Sequence, residues 1–150
     1  MRCLLRRVSN AKVLVGDQIV GQISAGLLIY LGIQQADSPE DLEWIIKKII
    51  GIRIFEDETG QMKSPAGADL GILVVSQFTL FGNLKKGSRP SFHRAAPPRQ
   101  AEGVYDDFVI KLKKIHPGAV ESGLFGADMH VVASDDGPVT IWLDSRNRNY

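Results

Sequence analysis

Two short segments of this chain are apolar at nearly every position, and they constrain the fold more than any other feature. Residues Gly26–Ile33 and Ile72–Val75 show no alternation of apolar and polar side chains. A strand that is apolar on both faces is typical of the middle of a sheet that other layers cover. Both segments are therefore predicted to be central strands, and the second is predicted to continue to Leu80.

Two other segments have the periodicity of amphipathic helices. Ser38 and Pro39 suit a helix N-terminus, and apolar side chains then recur at three- and four-residue spacing until Gly51. A second helix is predicted to begin at Pro97 or Pro98 and to end at His116-Pro117-Gly118. Its buried stripe is predicted to consist of Tyr105, Phe108, Val109 and Leu112.

Short β-prone runs separated by turn residues make up most of the remaining chain. Asp135–Pro138 is interpreted as a turn, because Pro138 cannot donate to a ladder and belongs at the start of a strand. The further predicted strands are Cys3–Val8, Ala11–Val15, Gln18–Ile23, Arg53–Phe55, Ala119–Ser122, Met129–Ala133 and Val139–Leu143. We expect one domain over residues 1–150 of the α/β class, α+β-like, with two helices packed on a curved, barrel-like sheet that is mostly antiparallel or mixed.

Composition excludes several other classes of protein. The chain has 150 residues, of which 44% are hydrophobic and 23% charged, as in globular proteins with a core of their own. Cys3 is the only cysteine, so an internal disulfide is impossible and a small buried residue is its simplest role. The apolar run Ala25–Ile33 is shorter than the ~20 residues of a membrane-spanning helix. Arg2, Arg6 and Arg7 would interrupt a signal-peptide core, so we expect a cytoplasmic protein without a membrane partner.

The formal net charge of +1 conceals a segregation of charges along the chain. Residues 70–101 contain no Asp or Glu but five Lys and Arg residues. Lys85, Lys86 and Arg89 lie in the predicted loop Gly82–Arg94. Such a loop suits a protein that binds a polyanion with one face, although a basic loop that is merely solvated has the same pattern.

Common metal and nucleotide motifs are absent from the sequence. It has no Walker loop, no G-x-G-x-x-G, no H-E-x-x-H and no C-x-x-C. One cysteine and three scattered histidines, His93, His116 and His130, do not supply a cluster of zinc ligands. A structural or surface role fits each histidine better than a role as ligand or base, and we expect no metal and no cofactor.

The strongest predicted strand changes from apolar to polar side chains at its end. Ser76-Gln77-Phe78-Thr79 places two hydroxyls and an amide where the strand leaves the core. Strand ends are common positions for functional sites because a rigid scaffold holds them, but an ordinary polar strand end has the same pattern. No acid or histidine stands nearby in sequence, so a nucleophile here would need a base from another part of the fold.

Together these segments resemble the D-aminoacyl-tRNA deacylase family over nearly the whole chain. Several independent motifs in one order are more specific than any one of them. The similar segments are Arg6–Val13, Gly26–Leu28, Leu31–Ile33, Arg53–Asp57, Val75–Leu80, Lys86–Phe92, Phe125–Met129 and Asp136–Thr140. The sequence departs from the family pattern at Met62–Gly67 and in the tail Arg146–Tyr150.

The resemblance implies an activity and an assembly. The family hydrolyses the ester that joins a D-amino acid, or glycine, to the terminal ribose of tRNA, and its members are cytoplasmic homodimers. Gly137-Pro138 falls on the family's chiral gate, a cis peptide that reaches into the partner's site and blocks L-amino acids, and Arg7 falls on the arginine that supports the gate.

The resemblance also assigns roles to other residues. Ser76, Gln77, Phe78 and Thr79 fall on the catalytic segment, whereas Ala127 and Met129 fall in a segment expected to bind substrate. Lys85, Lys86 and Arg89 are expected to bind phosphates of the tRNA acceptor stem.

The sequence leaves the mechanism and one alternative function open. Backbone N–H groups of Phe78 and Thr79 could stabilise the oxyanion, with either the ribose 2′-hydroxyl assisting or Thr79 attacking as a nucleophile. The alternative to an enzyme is a non-catalytic tRNA- or protein-binding module on the same fold. Both predict tRNA binding, but only the enzyme predicts ester hydrolysis.

Overall fold

The computed structural model describes residues 1–149, which form a mixed sheet and two α-helices. The strands are β1 (Arg2–Val15), β2 (Gln18–Ile23), β3 (Gly26–Gly32), β4 (Phe55–Glu56), β5 (Met62–Ser64), β6 (Gly71–Ser76), β7 (Val120–Ser122) and β8 (His130–Asp144). The helices are α1 (Pro39–Gly51) and α2 (Pro98–Ile115), and a 3-10 turn spans Phe78–Phe81. Within residues 1–149, no helix is both long and apolar enough to cross a membrane.

The main sheet is arranged around β1, which has neighbours on both sides. Its first half pairs with β3 and its second half with β2, while β8 pairs along the other side, all antiparallel. β6 is parallel to β3, and β7 is parallel to β6. β4 and β5 form a separate two-stranded sheet. The sheet is therefore mixed, which confirms the predicted fold class.

The sheet curves into a nearly closed barrel because β2 and β7 approach each other closely at Gly21. A Cβ atom added at Gly21 would lie 2.6 Å from the backbone carbonyl oxygen of Ser122 and 3.1 Å from Leu73 Cδ1. Only a residue without a side chain fits between the two strands there.

β3 and β6 are buried on both faces because each face contacts a different apolar cluster. Alternate side chains of a strand point to opposite faces of the sheet. Leu27, Ile29, Leu31, Ile72 and Val74 pack in the larger cluster with side chains of the two helices. Leu28, Leu73 and Val75 pack inside the barrel with Val8, Val13 and Ile23. The prediction of two central strands covered on both faces is confirmed.

The two helices begin where the sequence predicts them. α1 starts at Pro39, where the Ser38 N–H donates to Asp41 Oδ2 at 3.0 Å. α2 starts at Pro98 and buries the predicted stripe. The hydroxyl of Tyr105 donates to the carbonyl of Val74 at 2.8 Å, and burial raises the pKa of this hydroxyl. Helix α2 is thus fixed to a central strand by a polar contact as well as by apolar packing.

The prediction of two separate strands at the C-terminus is wrong. β8 is one strand of 15 residues that pairs with β1, and 136–139 bulge out of the ladder opposite Arg7. The register runs from Arg6 with Thr140 directly to Val8 with Asp135. Because β1 continues past the bulge, β8 returns to the same neighbour instead of turning away.

Smaller boundary errors have similar causes. The two strands predicted for 3–8 and 11–15 are one continuous strand, since partners on both sides extend the ladder. The strand predicted for Arg53–Phe55 is reduced to β4 because only Phe55 and Glu56 find partners, in β5. The strand predicted from Ala119 begins one residue later.

We predict that Gly21→Ala lowers the free energy of unfolding by about 1–3 kcal/mol, because the new methyl group would overlap a backbone carbonyl that cannot move alone. Gly103→Ala is the matched control, since no atom lies within 4 Å of its Cβ position in α2. That change should instead stabilise the protein by about 0.5–1 kcal/mol. Urea denaturation at one fixed protein concentration measures both, and equal effects would contradict the close approach of β2 and β7.

Candidate active site

The segment Ser76–Thr79 does not continue the strand as predicted. β6 ends at Ser76, and the following residues form a tight turn in which Leu80 N–H donates to the Gln77 carbonyl at 3.3 Å. The ladder with β7 stops at Val74 and Ser122, and the ladder with β3 stops at Ser76 and Leu31. The Gln77 N–H still donates to the Leu31 carbonyl at 2.8 Å, and the turn begins after it.

A cavity of about 760 Å³ opens at the carboxyl ends of β3 and β6. Open sheets with parallel strands commonly bind ligands at this edge. Five residues predicted for the site line this cavity, namely Ser76, Gln77, Phe78, Ala127 and Met129. Thr79, the sixth residue of the two predicted segments, is exposed and does not line the cavity.

The polar groups at the mouth of the cavity are arranged by the turn. The amide Nε2 of Gln77 donates to Thr79 Oγ1. The N–H groups of Phe78 and Thr79 open the 3-10 turn, and within residues 1–149 no backbone carbonyl accepts from them. Two N–H donors are thus free for a ligand oxygen.

Aromatic side chains form one wall of the cavity. Phe78 is 57% exposed, and its ring meets the ring of Phe92 edge to face at a centroid distance of 5.2 Å. Phe125 also lines the cavity, and its ring packs against the ring of Tyr105 with centroids 5.6 Å apart. A large exposed aromatic ring beside a mostly apolar cavity suits the binding of a planar ring.

The charged groups of the cavity are few. Asp128 is the one carboxylate among the lining residues of the described chain, and His93 is the one imidazole. In residues 1–149, no three His, Cys, Asp or Glu side chains lie close enough to hold a metal ion. Cys3 is buried, as predicted, and burial raises the pKa of its thiol.

The basic loop lies outside the cavity, but the residues that follow it in sequence, Phe92 and His93, line the cavity. Asn83 and Ser91 pair at its base, with N–H to O distances of 2.9 and 3.0 Å. Lys85, Lys86 and Arg89 are exposed between them, and in the described chain none has a carboxylate partner. The predicted loop is present, and its charges are available to a polyanion.

Gly137 and Pro138 form the tip of the bulge in β8, and the peptide bond between them is cis. Arg7 holds the base of this bulge. Its Nη1 donates to the Ile54 carbonyl at 2.5 Å, and its Nε lies 3.1 Å from Asp136 Oδ2. Arg7 thereby connects the bulge to the start of the β4–β5 hairpin.

Within one chain, the bulge is not part of the cavity wall. Ser76 is in register with Leu31, and Leu31 with Cys3. Arg7 is four residues further along β1, or about 14 Å at the usual rise per residue. Neither Arg7, Gly137 nor Pro138 lines the cavity of its own chain.

Sequence reasoning missed much of the cavity wall. Gln35 and His93 lie on segments with no motif of their own. The run Ala95-Ala96-Pro97-Pro98 also lines the cavity, and its small side chains before α2 leave the space open. Four small residues in a row before a helix are the one signal in the sequence that could have indicated a cavity.

Comparison with known proteins agrees with the geometry. The family model described as D-Tyr-tRNA(Tyr) deacylase matches residues 4–144. The chain belongs to this family. A D-aminoacyl-tRNA deacylase of Kosmotoga olearia is 49% identical to this family member over 150 residues, covering 99% of both chains. One of Chloroherpeton thalassium is 50% identical over 147 residues, covering 97% of this chain and 96% of the relative.

Solved structures resemble this deacylase-family chain along its whole length. A protein described as "c-Myc DNA Unwinding Element Binding Protein" superposes with a TM-score of 0.89 and 42% identity, covering 96% of this chain and 98% of that one. A probable eukaryotic D-amino acid tRNA deacylase superposes with a TM-score of 0.76 and 20% identity, covering 95% and 97%. The second likeness supports the fold of the family.

Proposed function

We propose that this chain hydrolyses the ester of D-aminoacyl-tRNA, and of glycine mischarged on tRNA, and releases the free amino acid and tRNA. The observation that carries the proposal is membership of the deacylase family over residues 4–144 together with a cavity at the end of β6. This reaction removes D-amino acids before translation uses them. Because aminoacyl-tRNA is made and consumed in the cytoplasm, we assign the activity to that compartment.

The residues at the cavity mouth have the chemistry that ester hydrolysis needs. In our proposal the ester carbonyl lies against Ser76, Gln77 and Phe78, and the free N–H groups of Phe78 and Thr79 stabilise the negative charge of the tetrahedral intermediate. Donors fixed before the reaction are effective because they need no reorganisation as the charge develops. The terminal adenine occupies the apolar part of the cavity, against Met129 and Ala127.

The nucleophile is water, assisted by the ribose 2′-hydroxyl. Two observations favour this over attack by Thr79. Thr79 does not line the cavity, and its hydroxyl accepts a hydrogen bond from the Gln77 amide, which cannot act as a base. Within residues 1–149, no carboxylate or imidazole is hydrogen-bonded to Thr79.

The chiral gate acts in the site of a partner subunit. Gly137 and Pro138 do not line the cavity of their own chain, so in our proposal a second copy brings gate and cavity together. β8 offers a surface for such a copy, because in the described chain its outer edge pairs with no strand. An open edge presents a row of backbone N–H and C=O groups that can pair with another chain. We therefore propose a homodimer in which Arg7 holds the gate.

The basic loop binds the phosphates of the tRNA acceptor stem. Lys85, Lys86 and Arg89 are exposed on a loop that leads to Phe92 in the cavity wall, and in residues 1–149 no carboxylate is paired with them. They are therefore available to phosphate groups. Such contacts orient the substrate and do not select its sequence.

We predict that the purified protein releases D-tyrosine from D-tyrosyl-tRNA about a hundredfold faster than L-tyrosine from L-tyrosyl-tRNA, because the gate excludes one configuration sterically. Release of radiolabelled amino acid measures both rates. Gln77→Ala should slow release of D-tyrosine by about a hundredfold, since the ester loses a polar contact in the transition state. Tight tRNA binding without turnover would instead identify a non-catalytic tRNA-binding module. If neither D-tyrosyl-tRNA nor L-tyrosyl-tRNA binds, a protein-binding module is favoured.

We predict that the 2′-hydroxyl matters more than Thr79. D-tyrosyl-tRNA whose terminal ribose is 2′-deoxy should react about a hundredfold more slowly, because an assisting hydroxyl contributes on that order. Thr79→Ala should slow the natural substrate by less than about tenfold. The opposite pattern, with a burst of acyl-enzyme in the unmutated protein, would assign the attack to Thr79.

We predict that two inactive variants complement each other. Gly137→Ala should displace the gate so that it obstructs the partner's cavity, because Gly137 has φ +118° and an added Cβ would lie 2.9 Å from Val139 Cγ2. A dimer of this variant with Gln77→Ala has one site with both lesions and one with none. Random reassembly should recover about a quarter of the unmutated activity, since half of the dimers are mixed.

The controls for this experiment are the two variants refolded separately. Each should stay inactive whether the gate acts in its own subunit's site or in the partner's. Refolded mixtures that contain mixed dimers but no activity would place the gate in its own subunit's site and overturn the proposal.

A further inference from the structure

A second, smaller cavity adjoins the first and has no role in the function proposed so far. Its volume is about 440 Å³, and it is lined by Gln34, Gln35, Ala36, His93, Arg94 and Arg146. Gln35 and His93 line both cavities, so the two are adjacent at these side chains. The first cavity is largely apolar, whereas five of the six residues around the second have polar or charged side chains.

Backbone contacts hold the two walls of the second cavity together. Gln34 pairs with Ala95 in an antiparallel bridge. The Gln35 N–H donates to the Arg94 carbonyl at 3.3 Å, and the Ala96 N–H donates to the Ile33 carbonyl at 3.0 Å. The side chains of the two segments are therefore fixed relative to each other before a ligand binds.

Arg94 has its orientation set and most of its donors free. Its Nη2 donates to Gln34 Oε1 at 3.1 Å, and the guanidinium lies 5.8 Å from the ring centroid of Phe81. Arginine has five N–H donors in a planar fork that matches phosphate oxygens. In residues 1–149, no carboxylate pairs with Arg94.

The charges around this cavity leave it positive. Asp41 is buried and is paired with Arg146 at 3.0 Å and with Arg148 at 3.9 Å. Burial raises the pKa of the Asp41 carboxyl, but hydrogen bonds from Ser38 and Ser145 hold it below the ordinary value, so this carboxylate is ionised at neutral pH. Asp37 is paired with the Met1 ammonium. Arg94, Arg146, Arg148 and the Met1 ammonium therefore outnumber the two carboxylates of Asp37 and Asp41.

The position of the positive cavity matches the path that tRNA must take. When an adenosine carries its ester at Gln77, its 5′-phosphate leaves the first cavity elsewhere along the rim. Asp128 lines the first cavity and repels a phosphate, whereas Gln35 and His93 adjoin the guanidinium of Arg94, which has no carboxylate partner in residues 1–149. Opposite charge at the exit favours this second direction.

On the basis of the proposed deacylase function, we propose that the second cavity binds the phosphodiester that joins the terminal adenosine to the preceding nucleotide, with Arg94 as its main ligand. The contact holds the single-stranded end of the substrate in register, so that the ester meets the donors at Phe78. Arg94 is a binding residue in this proposal and takes no part in the chemical step.

The test compares two substrates that differ in this phosphodiester and the cytidine attached to it. One is the D-tyrosyl ester of adenosine, and the other is the D-tyrosyl ester of the dinucleotide CpA. Arg94→Ala should lower the ratio of their kcat/KM values, CpA over adenosine, by about tenfold, mainly through KM, because a hydrogen bond to a charged group is lost. Arg94→Lys should give an intermediate ratio, because lysine keeps the charge but not the planar fork.

The matched control is Lys114→Ala, which removes one exposed positive charge from the last turn of α2. This turn is about 24 Å along the helix from the cavity at Pro98. The control should leave the ratio unchanged. Equal losses on both substrates for Arg94→Ala, or an unchanged ratio for Arg94→Ala and Arg94→Lys alike, would overturn the phosphodiester site.

Binding measurements separate this proposal from the proposed function. Calorimetry with CpA and with adenosine, neither of which carries an amino acid, measures binding without turnover. Arg94→Ala should weaken binding of CpA by about tenfold relative to adenosine. If the unmutated protein hydrolyses neither ester, the deacylase function fails, and the calorimetric ratio still decides whether the cavity binds the phosphodiester. Unchanged CpA affinity in both Arg94 variants would reject it.

Discussion

The pairing of β1 with neighbours along both of its sides is the interaction on which the rest of the structure depends. β3 and β2 share one side of β1, so the sheet bends at the point where one neighbour replaces the other. β8 occupies the opposite side over nearly the same length. The larger of the two irregularities in that ladder lies opposite Arg7, and this is where the chain projects Gly137 and Pro138. β1 therefore connects the strands of the barrel to the bulge of β8 that carries the proposed gate.

The candidate site follows from where the ladders end. β3 and β6 are locked on both faces by two apolar clusters, so their ends are rigid. After Gln77, whose N–H still donates to the Leu31 carbonyl, the backbone turns, and within residues 1–149 no backbone carbonyl accepts from the N–H groups of Phe78 and Thr79. Buried strands thus give a fixed position to donors that lie on a short irregular segment. This is the arrangement that a reaction dependent on oriented donors needs.

Local features of the sequence predicted much of the fold and part of the candidate site. The starts of α1 and α2 were predictable because proline fixes the first turn and apolar periodicity defines the buried stripe. It was also predictable that the polar segment Ser76–Thr79 follows a buried central strand. Its shape was not, because the strand ends where its neighbours end, and pairing partners distant in sequence decide that. The continuity of β8 escaped prediction for the same reason.

The sequence by itself determined the family, the continuous apolar runs that bury β3 and β6, and the positions of the two helices, since these depend on residue type and local spacing. Tertiary structure alone decided that Thr79 stands outside the cavity while Gln35 and His93 line it. It also decided that Arg94, an ordinary basic residue in the sequence, keeps a free guanidinium beside a cavity, whereas Arg146 and Arg148 are paired with Asp41. The physical reason is that a charge is available to a ligand only if no opposite charge packs against it, and packing brings together residues from distant parts of the chain.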